Sequence, residues 1–369
     1  MNRDRGKRSW RSAEVTVAIA ALALLASGCQ LPYLVSQLAG ETQLLAGARP
    51  IDAVRADARS SATLVERLDE AEELLEFAKR QGFRVGDAYR TYSEPPAGYP
   101  VWIVSACPPD ALEPVTWSFP LVGAFPYKGF FRKELAEFEA DRLRGLDLEV
   151  DLRPALAFST LGWFSDPLFP TLLTGDTGER AGGILHELAH RTVFVPGDAR
   201  LNESISVSVE DFAVQAWLAE RGEIEAMAEH RLRIEDREQL REAVAGVLDE
   251  LRVSFEAPER EVRLAGKRDA LERFSARFRD HPPKSARYGT LSKVEWTLPA
   301  LLLIDVYGGD GPLLETVFEA CNRSIPRYLA KLRDAAGSPD PRELLGSWTE
   351  QAEPRGTGSL APRESRRKN

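Results

Sequence analysis

The sequence predicts an α+β fold with a strand-rich N-terminal half and a mostly helical C-terminal half. Three observations carry that expectation. Between residues 82 and 165, short β-prone pieces such as Val101-Trp102-Ile103-Val104 alternate with breaks at Pro95, Pro96, Pro108, Pro109, Gly123 and Gly129. From Thr177 onward, apolar residues recur at helical spacing. The 369 residues, 43% of them hydrophobic, supply enough apolar material for one large domain. A net charge of −9 argues against a nucleic-acid binder, which needs a basic patch for phosphates. Three cysteines are too few for a disulfide-dense scaffold.

The first segment reads as an address. Arg3, Arg5, Lys7, Arg8 and Arg11 precede an apolar run from Val15 to Ala26, and Ser27-Gly28-Cys29 follows. A basic start, a short apolar run and small residues before a cut describe a secretory signal peptide over residues 1–28. The run falls short of the about 20 apolar residues a spanning helix needs. Leu25-Ala26-Ser27-Gly28-Cys29 resembles a bacterial lipobox, which implies lipid on Cys29 and insertion of its acyl chains in a bilayer. Gln30 in place of aspartate implies sorting to the outer membrane more than the inner, facing the periplasm. Losing the basic leader makes the chain more acidic, so attachment would rest on lipid and not on charge.

Residues 29–350 read as one unit. Thr42 to Gln81 is helical in pattern, with the acidic run Glu70–Glu76 on a solvated face. An amphipathic helix is expected around Arg132–Arg144, and a strand over Ala155–Phe164. Thr177–Val195 reads as a helix capped by Asp176 or Thr177. Asn202–Glu220 reads as a second, with Asn202 as cap and Gly222 ending it. Residues 226–280 are highly charged with sparse apolar positions, interrupted at Pro258, and predict a long helical hairpin projecting from the body. Leu291–Val306 and Leu313–Leu332 complete the C-terminal helices, and residues 351–369 read as a disordered tail. Cys107 and Cys321 are either a pair or two separate buried thiols.

The chemistry concentrates at His186-Glu187-Leu188-Ala189-His190. On a helix, positions i and i+4 share a face, so both imidazoles can point at one ion. Glu187, offset by about 100°, would reach an ion-bound water instead of the ion. Ile184, Leu185, Leu188 and Ala189 make this a core-like helix, where buried charge needs a partner such as a divalent cation. Gly182 and Gly183 imply a close neighbour at that turn. A catalytic zinc takes three protein ligands and keeps one position open. Glu203, which follows His190 after twelve intervening residues and stands in the first turn of the next helix, is the candidate third ligand. Two imidazoles and a carboxylate suit Zn(2+) best.

HExxH followed by Asn202-Glu203 at a helix start resembles the gluzincin metallopeptidases, with Glu203 in the third-ligand position. More specifically, Gly28-Cys29-Gln30, Ala46–Ile51, Trp117-Ser118-Phe119-Pro120, Thr160–Pro167 and Asn202-Glu203-Ser204 are similar to a family of predicted bacterial zinc aminopeptidases, mostly lipoproteins. With a tyrosine segment, these matches extend from the lipobox to about Glu319. The resemblance implies a zincin-like fold and aminopeptidase activity. Tyr307, five residues before Pro312, matches the family's Tyr-x4-Pro tyrosine and is the implied oxyanion donor, with Tyr288 its competitor. One departure stands out: thermolysin-like gluzincins carry aspartate four residues after the glutamate ligand, and Val207 stands there. Glu210, two turns beyond Glu203, is the candidate acceptor behind a ligand histidine, with Asp198 the alternative.

Substrate contacts are expected at Gly162 and Trp163, where a strand edge could pair with an extended peptide. Asp166 is the nearest candidate for holding a substrate ammonium. The expected activity is thus zinc-dependent peptide hydrolysis from a lipid-anchored chain, with peptides and the membrane as partners and no nucleic acid. The alternatives are an endopeptidase or amidase acting on envelope or internal peptide bonds, and a metal-binding lipoprotein without catalysis. An intact Glu187 argues against the last.

Overall fold

A computed structural model of the chain describes residues 31–119, 123–157, 165–306 and 309–350. Cys29, Gly162, Trp163, Tyr307 and the segment 351–369 lie outside the described residues. The fold is α+β, with short strands and far more helix than sheet. In chain order it runs α1 (Leu31–Ala46), β1 (Arg49–Pro50), α2 (Ile51–Arg55), α3 (Ala62–Arg80) and β2 (Thr91–Tyr92). There follow β3 (Val101–Cys107), β4 (Trp117–Phe119), β5 (Gly123–Phe125), β6 (Lys128–Phe130), α4 (Lys133–Arg144) and β7 (Glu149–Ala155). The rest is helical: α5 (Thr177–Thr192), α6 (Ala199–Arg221), α7 (Ile224–Ser254), α8 (Arg260–Asp280), α9 (Leu298–Val306), α10 (Gly311–Ala320), α11 (Ile325–Ala336) and α12 (Pro341–Glu350).

The main sheet is antiparallel, in the order β6-β3-β7, with Val104 opposite both Lys128 and Leu152. Its buried face, with Val104, Ala106 and Phe130, packs on Ala136, Ala140 and Leu143 of α4. Of the strand expected over Ala155–Phe164, residues 158–164 lie outside the described residues; β7 precedes it and ends at Ala155. Asp151–Arg153 pair with β3, and Pro154, which has no N–H to donate, sits at the end of an edge strand. The N-terminal half is therefore poorer in strand than its composition suggests.

Three expected helices are interrupted. The Thr42–Gln81 pattern breaks between Gly47 and Ser61, and Ser61 opens α3 by accepting a hydrogen bond from the Leu64 amide. Leu291–Val306 is a short 3-10 turn followed by α9, since Pro299 fits only a first helical turn. Leu313–Leu332 splits into α10 and α11, with Asn322 and Arg323 at φ 54° and 53° and Pro326 in the first turn of α11.

Most of the core gathers around α5 and α6, where Ile184, Leu185 and Leu188 meet Leu68 and Phe77 of α3 and Tyr328 and Leu332 of α11. The α7–α8 hairpin does not project freely. Its apolar stripe, Leu240, Val244, Leu248, Phe274 and Phe278, is covered by α9, Trp296 and Cys107 of β3. The acidic run on α3 is not simply solvated either: Glu70 pairs with Arg180 and Glu72 with Arg55. Cys107 and Cys321 are free buried thiols in different clusters. Among the described residues, no helix is long and apolar enough to cross a membrane.

Candidate metal centre

Helix α5 begins where Asp176 accepts a hydrogen bond from the Glu179 amide, and α6 where Asp198 accepts one from the Leu201 amide. The second helix thus starts three residues before the expected Asn202. Asn202 instead closes the return loop, accepting from the Val195 amide and donating to the Val195 carbonyl. That double bond sets the first turn of α6 against the last turns of α5. It brings Glu203 to His186 and His190.

The three side chains converge, with one ligand atom from each lying within 4.8 Å of the others. Glu203 Oε2 is 3.4 Å from His186 Nε2 and 3.7 Å from His190 Nε2. This oxygen is buried and has no hydrogen-bond partner, a costly state unless a cation is shared with the imidazoles. The far ring nitrogens are held in turn: His186 Nδ1 lies 3.0 Å from Glu210 Oε2, and His190 Nδ1 3.0 Å from Ser206 Oγ. Such contacts fix which ring nitrogen faces an ion.

The glycine pair has its close neighbours. A Cβ on Gly182 would sit 2.8 Å from Glu210 Oε1, and one on Gly183 2.8 Å from Leu172 Cδ2. Gly182 therefore makes room for the carboxylate that orients His186. Asp198 is committed elsewhere, to capping α6 and to Arg342.

Electrostatics agree with a cation site. Burial opposes charge on His186, but Glu203 and Glu210 hold its pKa well above the ordinary value. Burial raises the Glu203 carboxyl, yet His190 and His186 outweigh it and hold it below the usual range. Glu187 goes the other way: burial pushes its carboxyl up, only partly opposed by the two histidines.

His186, Glu187, His190, Glu203 and Glu210 all line a cavity of about 1080 Å³ between the sheet and the helices. Tyr288 lines it, as does Tyr127, which the sequence reading did not single out. Tyr127 sits in the turn between β5 and β6 with its ring 5.6 Å from Phe125. Its phenol is raised by burial and by the nearby Glu203 and Glu187 carboxylates. No spacing in the sequence marks it; the short link between two strands of different sheets brings it in. Ser206 was equally silent, one of several serines on α6. Asp166 does not face the cavity: it is 1% exposed and pairs with Arg191 at 2.9 Å, which leaves it no role with a substrate ammonium.

A family profile described as "Putative aminopeptidase" matches residues 32–344. No curated protein and no solved structure is matched.

Proposed function

The chain belongs to the aminopeptidase family whose profile it matches, and from that premise we propose a zinc-dependent peptidase of the gluzincin type, an aminopeptidase tethered by lipid on Cys29 at the periplasmic side of the membrane. The observation that carries the metal is the buried, unpartnered Glu203 Oε2 beside two imidazole nitrogens. His186, His190 and Glu203 would hold the ion, and their N2O set suits zinc. Bound zinc would polarise the scissile carbonyl and acidify a water molecule.

The chain's own residues supply the rest. Glu187, made more basic by burial, accepts the proton of the attacking water and passes it to the leaving amine. Glu210 and Ser206 keep the two rings in register. Tyr288 and Tyr127 line the cavity as donors to the developing oxyanion, and Tyr307 is retained as the donor the family resemblance implies. Arg153 to Ala157, at the end of edge strand β7, also line the cavity and offer a backbone edge for an extended peptide, and Gly162 and Trp163 are retained as the substrate contacts expected from the sequence.

The test is release of N-terminal residues from short peptides by the zinc-loaded protein. A chelator should abolish it, and Glu187→Gln should lower kcat by about 10²–10⁴-fold while zinc stays bound. Activity surviving Glu187→Gln would sink the mechanism. Acetyl-capped peptides cut as fast as free ones would favour an endopeptidase or amidase. Stoichiometric zinc without turnover across a peptide library would favour a binding lipoprotein.

A further inference from the structure

One wall of the cavity is built from arginine. Arg233, Arg237 and Arg241 stand at i, i+4 and i+8 on α7, so they share one helix face, and all three line the cavity. Their side chains are only 7%, 17% and 14% exposed. Arg287 joins them from the loop beyond α8. Each helical arginine has an acid of its own, Asp176, Asp211 and Glu238 respectively, none of which lines the cavity. Arg233 Nη2 and Arg237 Nε nevertheless stay buried without a hydrogen-bond partner.

Arg287 differs in being more open: it is 48% exposed, its ion pair with Glu179 is long at 3.8 Å, and it neighbours the Tyr288 hydroxyl. Of the cavity's acids, Glu187, Glu203 and Glu210 belong to the metal centre, which leaves Glu179 facing this wall. The wall is therefore charge-balanced by acids mostly outside the cavity, while the guanidinium groups line the cavity itself as hydrogen-bond donors.

We propose that this arginine wall is a carboxylate subsite for the peptide substrate, with Arg287 as the side chain that touches the carboxylate. The inference rests on the peptidase reading above and adds its substrate class: short peptides bearing a free C-terminal carboxylate or an acidic side chain. Arg233, Arg237 and Arg241 line the same wall as Arg287, with Arg233 Nη2 and Arg237 Nε as buried donors still without a partner.

Geometry sets the length. Arg287 meets Glu179, which precedes His186 by seven residues on α5, so the wall lies roughly 10 Å along the helix axis from the metal ligands at 1.5 Å per residue. An extended chain covers about 3.3–3.6 Å per residue, so about three residues separate the scissile carbonyl from the bound carboxylate.

The decisive measurement is calorimetric binding to the zinc-loaded full chain carrying Glu187→Gln, which separates binding from turnover. Three probes suffice: tetra-alanine as the free acid, its C-terminal amide, and an amide with glutamate at the third position. The free acid should bind about tenfold tighter than its amide, the worth of one charge-assisted contact. Adding Arg287→Gln should erase that difference, and Arg287→Lys should restore part of it. Tight binding of the glutamate amide instead would assign the subsite to an acidic side chain. Equal binding of all three probes, no binding of any, or a loss on Arg287→Gln that is equal for acid and amide would overturn the proposal. Absence of hydrolysis by the wild-type protein would overturn the peptidase reading alone.

Discussion

At the scale of single residues, the centre depends on side chains that never touch an ion. Glu210 orients His186, and Gly182 leaves the space Glu210 occupies. Glu210→Gln should weaken zinc about 10–100-fold in chelator competition. Gly182→Ala should act in the same direction, because its Cβ would displace Glu210 Oε1 from 2.8 Å away. Unchanged zinc affinity in both variants would refute the orienting role. His230 gives a pH prediction. Burial pushes its pKa down to about 4 from 6.5, against the pull of Glu210, and its Nε2 lies 3.3 Å from the Asp211 carbonyl. The unfolded chain then binds the proton more readily than the native one. Stability from the neutral ring is complete above pH 6.5 and is lost as pH falls toward 4, by up to about 3 kcal/mol at 1.36 kcal/mol per unit. Asp211, raised by burial to about 6, titrates nearby with the opposite sign. The comparison of wild type with His230→Gln in urea unfolding at pH 7 and pH 5 therefore isolates the histidine: the variant should lose less stability on acidification.

At the scale of elements, the site is a product of two helix ends and the loop between them. The HExxH turn was legible because its spacing is local: i and i+4 share a face whatever the rest of the chain does. Glu203 was legible as well, because a loop as short as Val193–Asp198 leaves the next helix few places to go. What periodicity misjudged was continuity. Leu291–Val306 and Leu313–Leu332 both look unbroken to a pattern of apolar residues, yet Pro299 and Pro326 each require a first turn. Gly222 shows the same local logic read correctly, since it ends α6 at φ 69° in the left-handed region. A Cβ there meets nothing within 4 Å, so Gly222→Ala tests backbone strain alone. It should cost about 1 kcal/mol in urea unfolding, and no change would mean that α6 ends without help from this residue.

At the scale of the whole molecule, the three candidate ligands lie on the two helices at the centre of the largest core cluster among the described residues, so a bound metal and the fold should stabilise each other. Zinc at about a thousand times its Kd should add about 4 kcal/mol by mass action and raise Tm. His186→Ala should remove that increment, and an equal rise in the variant would place the stabilising ion elsewhere. The sequence by itself pointed to an α+β chain, to the histidine pair with Glu187 beside it, to Glu203 as the carboxylate that joins them and to Glu210 behind His186. Each rests on spacing within one helix or across one short loop. Only the tertiary structure brought Tyr127, from the link between two strands of different sheets, and Ser206, from α6, to the centre. It also committed Asp166 to Arg191, packed the charged hairpin onto the sheet, and lined the cleft with arginines from α7 and the loop beyond α8. Those placements depend on how separate elements pack, and side chains far apart in sequence carry no periodic signal of the neighbours that packing will give them.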